Sequence, residues 1–374
     1  MTYGGGSGGS GGSGGGTGYG GADEQELPSY NQAPAGSIRF NTDSAKLEVY
    51  IGGPVGYGTT ATGQWMQVDG WSPDTQTGGT RGIFVPGHSG SFNNTIDFIN
   101  IATTGDATKF GELTEQRFNP AAVASRTRGV FMGGENSPGP ESAIMDFITI
   151  ASTGNATSFG NLETARVYPV GISDATRGLA VAGGNPSNIK SIEYITIAST
   201  GSAKDFGDVG RGERQRHGGC GNSTRGVIAG GAAPGRISSI DFLTIQTQGE
   251  TAEFGDLTID SQNLHGCSNS IRGLYNGRTI NPNTIVNTID YITIATLGDA
   301  KDFGDLSQRK RGGGAMASPT RGVFACGSKH PSGTSNVIDY VQIMSLGDAV
   351  DFGDATIEAG DGCATTNGHG GLGN

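Results

Sequence analysis

Between Thr80 and Leu372 one pattern recurs six times, at a spacing of 47 to 49 residues. An arginine returns at Arg81, Arg128, Arg177, Arg225, Arg272 and Arg321. An acid, set between an apolar and an aromatic residue, returns at Asp97, Asp146, Glu193, Asp241, Asp290 and Asp339. A phenylalanine followed by glycine returns at Phe110, Phe159, Phe206, Phe254, Phe303 and Phe352. Repetition at this period, with short strand-like runs in each unit, points to a propeller or a solenoid rather than a single-core enzyme.

The last unit shows four such runs: GGAMAS (a), RGVFACG (b), VIDYVQIMS (c) and AVDFGD (d). Run c of the fifth unit alternates, with Ile289, Tyr291 and Thr293 on one face and Asp290, Ile292 and Ile294 on the other. Apolar residues on both faces are expected of a sheet sandwiched between two neighbours. Four antiparallel strands in each of six units predict an all-β, six-bladed β-propeller over residues 70–374. Glycine at 69 of 374 positions supplies the tight turns this needs. Residues 363–372 (CATTNGHGGL) align on run a and the start of run b, while the first unit begins poorly, with GWSPDTQTGG where run a should stand. The C-terminus is therefore expected to complete the first blade, closing the ring without an exposed edge.

Residues 1–33 form a Gly/Ser-rich tail and linker, and residues 34–69 a small module. In the module Ser37–Phe40 and Leu47–Ile51 read as a hairpin, with Trp65 as its cover. Such a hairpin is too small to be stable alone. It must dock on the repeats or on copies of itself, so attachment and homo-oligomerisation are expected of it.

The net charge of −11, without a basic stripe, argues against a nucleic-acid partner. No apolar run approaches the ~18 residues of a spanning helix, so membrane insertion is not expected. Cys220 and Cys267 stand where sister units carry Val123, Ile172 and Met316, which marks them as core thiols. The histidines His88, His217, His265, His330 and His369 are scattered over separate repeats. No metal or cofactor is expected.

Each repeated phenylalanine should pack between adjacent sheets. Each arginine precedes its acid by 16 or 18 residues, which reads as an ion pair tying strand b to strand c inside every blade. The a–b and c–d turns barely change between units, whereas the b–c and d–a connections differ in length and chemistry. In an antiparallel blade these two sets emerge on opposite sides of the disk, and diversified loops on one side mark a candidate binding face. The b–c loops offer His88, Asn93, Glu135, Glu141, Asn185, Arg236, Arg278, Asn283, Lys329 and His330. The d–a connections add Arg117, Arg166, Arg214, Arg216 and Arg309.

Strand b ends in Gly133–Gly134, Gly183–Gly184 and Gly230–Gly231, which resembles the kelch repeat. The kelch tryptophan of strand d is replaced by phenylalanine, and the Gly-Gly step is lost at Pro86–Gly87, Asn276–Gly277 and Cys326–Gly327. Over residues 80–372 the wording S-x-T-R-G-V-F-x-G-G … I-D-Y-I-T-I-A-T-x-G-[DN]-A-x-D-F-G-D-L is similar to kelch-like structural proteins of tailed bacteriophages, notably those of marine cyanobacteria. The stretch GSIRFNTDSAKLEVYIGG, followed by Trp65, resembles a short module of phage tail-fibre and other virion proteins. These resemblances imply a virion component at the phage tail or particle surface, joined to other virion proteins through residues 1–70. They imply a tail-fibre or adhesin-type role in binding a host-surface glycan or protein, or else a purely structural decoration of head, neck or capsid. An enzyme is not expected, since no Asp-box wording (S-x-D-x-G-x-x-W) and no converging His/Tyr/Cys set appears.

Overall fold

A computed structural model describes residues 36–41, 46–51, 64–67 and 79–372, apart from 89, 92, 137 and 138. The Gly/Ser tail lies outside these residues. The chain divides into two units, Met1–Trp71 and Ser72–Asn374.

The described part of the first unit is a three-stranded antiparallel sheet of Ile38–Asn41, Lys46–Ile51 and Gln64–Gln67, with Lys46–Ile51 in the middle. Trp65 is not a cover laid over a hairpin. It belongs to the third strand, paired opposite Tyr50 with ring centroids 5.3 Å apart. Arg39 stacks 4.1 Å from the Trp65 ring and bonds Glu48 across the first two strands. Cross-strand pairs of this kind supply the stabilisation that two bare strands lack.

In the second unit every repeat becomes an antiparallel sheet whose strands run a, b, c, d from one edge to the other. Blade two has Ala121–Ala124, Arg128–Met132, Ile144–Thr149 and Thr157–Asn161. Blade three has Val170–Ser173, Arg177–Asn185, Ser187–Thr196 and Lys204–Asp208. Blade four has Gly218–Gly221, Arg225–Ala229, Gly235–Thr244 and Ala252–Ser261. Blade five has His265–Ser268, Arg272–Asn276, Thr288–Thr293 and Lys301–Asp305. Blade six has Gly314–Ala317, Arg321–Lys329, Thr334–Gln342 and Val350–Ala359.

Blade one is assembled from both ends of the unit. Its strands b, c and d are Arg81–Val85, Thr95–Asn100 and Thr108–Glu112, and its strand a is Cys363–Thr366. Cys363 pairs with Val85 and Thr366 with Gly82. The six a strands line a central channel, each beside the next, with that of blade one lying between those of blades six and two. The ring is therefore closed by the C-terminal strand, as the spacing predicts. Residues beyond it do not begin a strand b. Gly370–Leu372 form a 3-10 turn instead.

The core is a set of apolar layers between neighbouring sheets. One holds Ile83, Val85 and Phe110 of blade one against Phe131 and Ile148 of blade two. The six repeated phenylalanines are each only 2–3% exposed. Each meets the strand c aromatic of its own blade at 5.9 to 6.3 Å, tilted toward edge-on. The glycine that follows has a steric reason. A Cβ on Gly304 would stand 2.4 Å from the carbonyl oxygen of Gly347, because the c–d turn of the next blade rests directly on it. That turn is latched as well: Gly347 N–H donates to the Phe303 carbonyl at 3.0 Å, and Gly105 N–H to Phe352 across the closure at 2.8 Å.

The arginine ladder does not pair with the acid ladder, which corrects the expected bridge. Arg321 stands opposite Gln342, whereas Asp339 stands opposite Phe324. Three residues along a strand is about 10 Å and reverses the face, so the two charges cannot meet. Each arginine instead stacks on the strand c aromatic of its own blade, 4.1 to 4.8 Å from the ring centroid. It then donates to a carbonyl of the following blade: Arg128 to Ile197 at 3.0 Å, Arg272 to Ile343 at 2.9 Å, and Arg321 to Ile101 across the closure at 2.9 Å. The ladder is a clamp between blades.

Candidate functional site at the channel mouth

The acids find other cations. Asp146 pairs with Arg117 at 2.8 Å, Glu193 with Arg166, Asp241 with Arg214, Asp290 with both Arg278 amino groups at 2.7 Å, and Asp339 with Lys310 at 3.0 Å. Arg117, Arg166, Arg214 and Arg278 are at most 1% exposed. Their expected place among binding-face loops is corrected by this: they belong to the framework. Each extends from the variable side into the space between b and c, and Arg117 also donates to the Ile144 carbonyl at 2.7 Å. A guanidinium this deep needs acceptors, and the repeat supplies them to the amino groups, while the Nε atoms of Arg117 and Arg214 have no partner.

Four of the cations stand two residues before a fixed point ahead of strand a, at Arg117, Arg166, Arg214 and Lys310. Blade five has Ser261 there and draws Arg278 from its b–c loop instead. Blade one has Ala359, and among the described residues Asp97 forms no ion pair; Lys109, opposite it in the next strand, acts only as a minor charge. Asp97 is fully buried, accepts from the Thr356 amide at 3.1 Å and its hydroxyl at 2.5 Å, and keeps one carboxylate oxygen without a partner. Burial raises its pKa despite those bonds. A raised folded-state pKa contributes stability at acid pH that is lost as pH rises through it. Asp97→Asn is expected to raise stability by about 1 kcal/mol at neutral pH. Its gain over the wild type should grow between ~pH 3, below the ordinary carboxylate value, and ~pH 8. Thermal melts of both proteins across that range check this; a loss independent of pH would contradict it.

The fixed point just mentioned is the second feature of the site. Asn119, Tyr168, Arg216, Asn263, Gly312 and Asp361 occupy the same place in the six repeats, two residues before strand a. All six backbones are left-handed, with φ between 52° and 63°. Together they encircle the channel, with neighbours tied in places by backbone hydrogen bonds: Asn119 N–H to Asp361 O at 2.9 Å, Tyr168 N–H to Asn119 O at 3.3 Å and Asn263 N–H to Arg216 O at 2.7 Å. The ring rims the channel on the side of the b–c and d–a connections and lines a cavity of about 70 Å³. Deeper in, a second cavity of about 50 Å³ runs between Gly171, Gly219, Gly266 and Ala315.

On the other side the channel is filled. His369 Nε2 lies 2.9 Å from the Ala124 carbonyl and 3.3 Å from Ser173 Oγ. Arg126 donates to the Leu372 carbonyl at 3.0 Å. Built Cβ atoms on Gly370 and Gly371 would fall 2.3 Å from the Asn269 oxygen and 1.7 Å from the Ser173 oxygen, so only glycine passes between the a strands here. The C-terminal turn is a plug, and among the described residues the channel is blind at that end.

Polar groups converge on the open end. Arg216 stacks 4.5 Å over Tyr168 and donates to its hydroxyl at 3.2 Å. Phe118 meets Tyr168 edge-on at 6.4 Å, and His88 meets Phe118 at 6.1 Å. Asn263 donates to Thr279 at 3.2 Å. Burial raises the Asp361 carboxyl, opposed by the charges of Arg311, Arg216 and His88. Burial also holds His217 neutral, with a pKa of about 3, and His265 at about 4.

Of the other residues expected on the binding face, His88, Asn93, Glu135, Glu141, Asn185, Arg236 and Lys329 are partly exposed and Arg309 and His330 exposed. Asn93 caps its own loop by accepting from Thr95 N–H at 2.6 Å, and Arg236 bonds Asn281 and Asn283 of the next blade. Of the ring residues, only Arg216 is among those that the sequence places on the binding face. The available signal was a position in strict register that changes chemistry in almost every unit. All four cysteines are free and buried, and burial lifts the Cys220, Cys326 and Cys363 thiols to about 12. No family model matches the chain, and no curated protein matches it.

Proposed function

We propose that this chain is a recognition component of a phage particle. Its propeller presents the variable side to the host surface and binds a glycan or protein there, while residues 1–70 join it to other virion proteins. The particle assignment rests on the resemblance of its repeats and N-terminal module to phage structural proteins. The binding role rests on one observation: the channel is plugged on the invariant side and ends in a polar mouth on the side that carries every diversified connection. Pockets that recognise ligands are concave, with a few convergent polar groups, and this mouth has that form.

A purely structural decoration is the second reading. The burial of Arg117, Arg166, Arg214 and Arg278 favours it, because much of the charge on the variable side serves the fold. The two separate by adsorption. Fluorescently labelled full-length chain should bind cyanobacterial cells and slow infection by the phage that carries it. No adsorption and no competition would overturn recognition in favour of decoration.

A further inference from the structure

A non-glycine residue in the left-handed region is strained, modestly for Asn and Asp and more for Tyr and Arg. This chain has glycine to spare, and uses it at all six c–d turns, where φ is also positive. At the channel mouth Gly312 shows that glycine serves the ring equally well. The five other units nevertheless carry Asn119, Tyr168, Arg216, Asn263 and Asp361. Strain kept where an unstrained residue is available points to what the side chains do.

Part of their hydrogen-bonding capacity is unused. Asn119 is 7% exposed, lines the cavity, and its amide nitrogen has no hydrogen-bond partner. The Nε of Arg216, which lines the same cavity, is buried and equally unpartnered. Buried polar groups are normally satisfied, so two unused donors on residues lining one small space mark a place for acceptors. Asp361 adds a carboxylate acceptor on the same rim. At the ~10–15 Å³ that each water needs, the cavity has room for about five, the size of one hydroxylated edge of a sugar ring.

We infer that the mouth is a binding site for one terminal, uncharged monosaccharide unit of a glycan. Its vicinal hydroxyls would accept from Asn119 and Arg216 and donate to Asp361, with Tyr168 flanking the ring. The mixture of donors and a carboxylate suits a polyol, which both accepts and donates. An anionic sugar would meet Asp361, and a peptide would find walls of glycine and alanine without a pocket for a large anchoring side chain.

This inference deepens the recognition reading and rests on it for the source of the sugar. The test uses full-length protein titrated with methyl glycosides of glucose, galactose, mannose and N-acetylglucosamine, followed by calorimetry and ligand-observed NMR. Asn119→Gly keeps the left-handed backbone and removes the side chain; Asp361→Asn keeps the shape and removes the charge. At least one neutral glycoside should bind, and each variant should weaken it about tenfold or more, the loss of one good hydrogen bond. The Asn119→Gly melting temperature should stay level or rise. Binding only of sialic acid or a sulfated sugar, or full affinity in both variants, would overturn the inference. If the chain adsorbs to cells while saturating neutral glycosides neither bind nor compete, the site is wrong and recognition stands. If the glycosides bind at the mouth but the chain ignores cells, the site stands and phage recognition falls.

Discussion

Deleting residues 363–374 is expected to abolish cooperative unfolding of the propeller and to leave an aggregating chain. The deletion removes strand a of blade one and the channel plug together. Ile83 and Val85, now at most 1% exposed, would lie on an open sheet edge. Strands a of blades two and six, Ala121–Ala124 and Gly314–Ala317, would each lose a neighbour. The clamp and latch of each blade act on the next, so a gap in the ring loosens both sides of it. A domain is held by only ~5–15 kcal/mol in total, and an unpaired edge invites association. Far-UV circular dichroism melts with sedimentation velocity measure the effect. A truncated chain that melts cooperatively, as a monomer, near the full-length temperature would contradict the closure.

The second large effect is expected of Asp290→Ala. Asp290 and Arg278 are both fully buried, joined by two bonds at 2.7 Å, and Thr258 donates to the same carboxylate at 2.8 Å. Removing the acid leaves a buried guanidinium without a counterion, a loss of about 3–5 kcal/mol. Replacing both partners with apolar residues, as in Asp290→Ala with Arg278→Met, should recover most of it. Urea denaturation of the single and double variants measures this directly. An unchanged midpoint in Asp290→Ala would refute the ion pair. The contrast with Asp97→Asn is the sharper statement: the same ladder position is indispensable where a cation faces it and dispensable where Ala359 does.

Much of the architecture was legible because each blade stamps its requirements on the chain at a fixed spacing. Phe303 must fill the layer between sheets and Gly304 must let the next turn pass, so both recur. Closure was legible for the same reason, through Cys363–Thr366. Charge partners were not. Arg321 and Asp339 are adjacent in the repeat yet lie on opposite faces and three residues apart in register, which only the strand pairing reveals. The true partners were obscured by a substitution between loops, Ser261 giving up the cation that Arg278 supplies. The channel ring was least legible. Its shared property is a backbone angle, and Asn119, Tyr168, Arg216, Asn263, Gly312 and Asp361 share no side-chain chemistry.

Hydroxyl-radical footprinting of the full chain, with and without host-surface extract, tests most directly which side of the disk meets its target. The invariant side offers Leu297, Met344 and Leu346 as reporters in its c–d turns, 49–60% exposed. The variable side offers His88 and Tyr168. Protection of His88 and Tyr168, with Leu297, Met344 and Leu346 labelled as before, is the predicted result. Protection confined to the three invariant-side residues would contradict it.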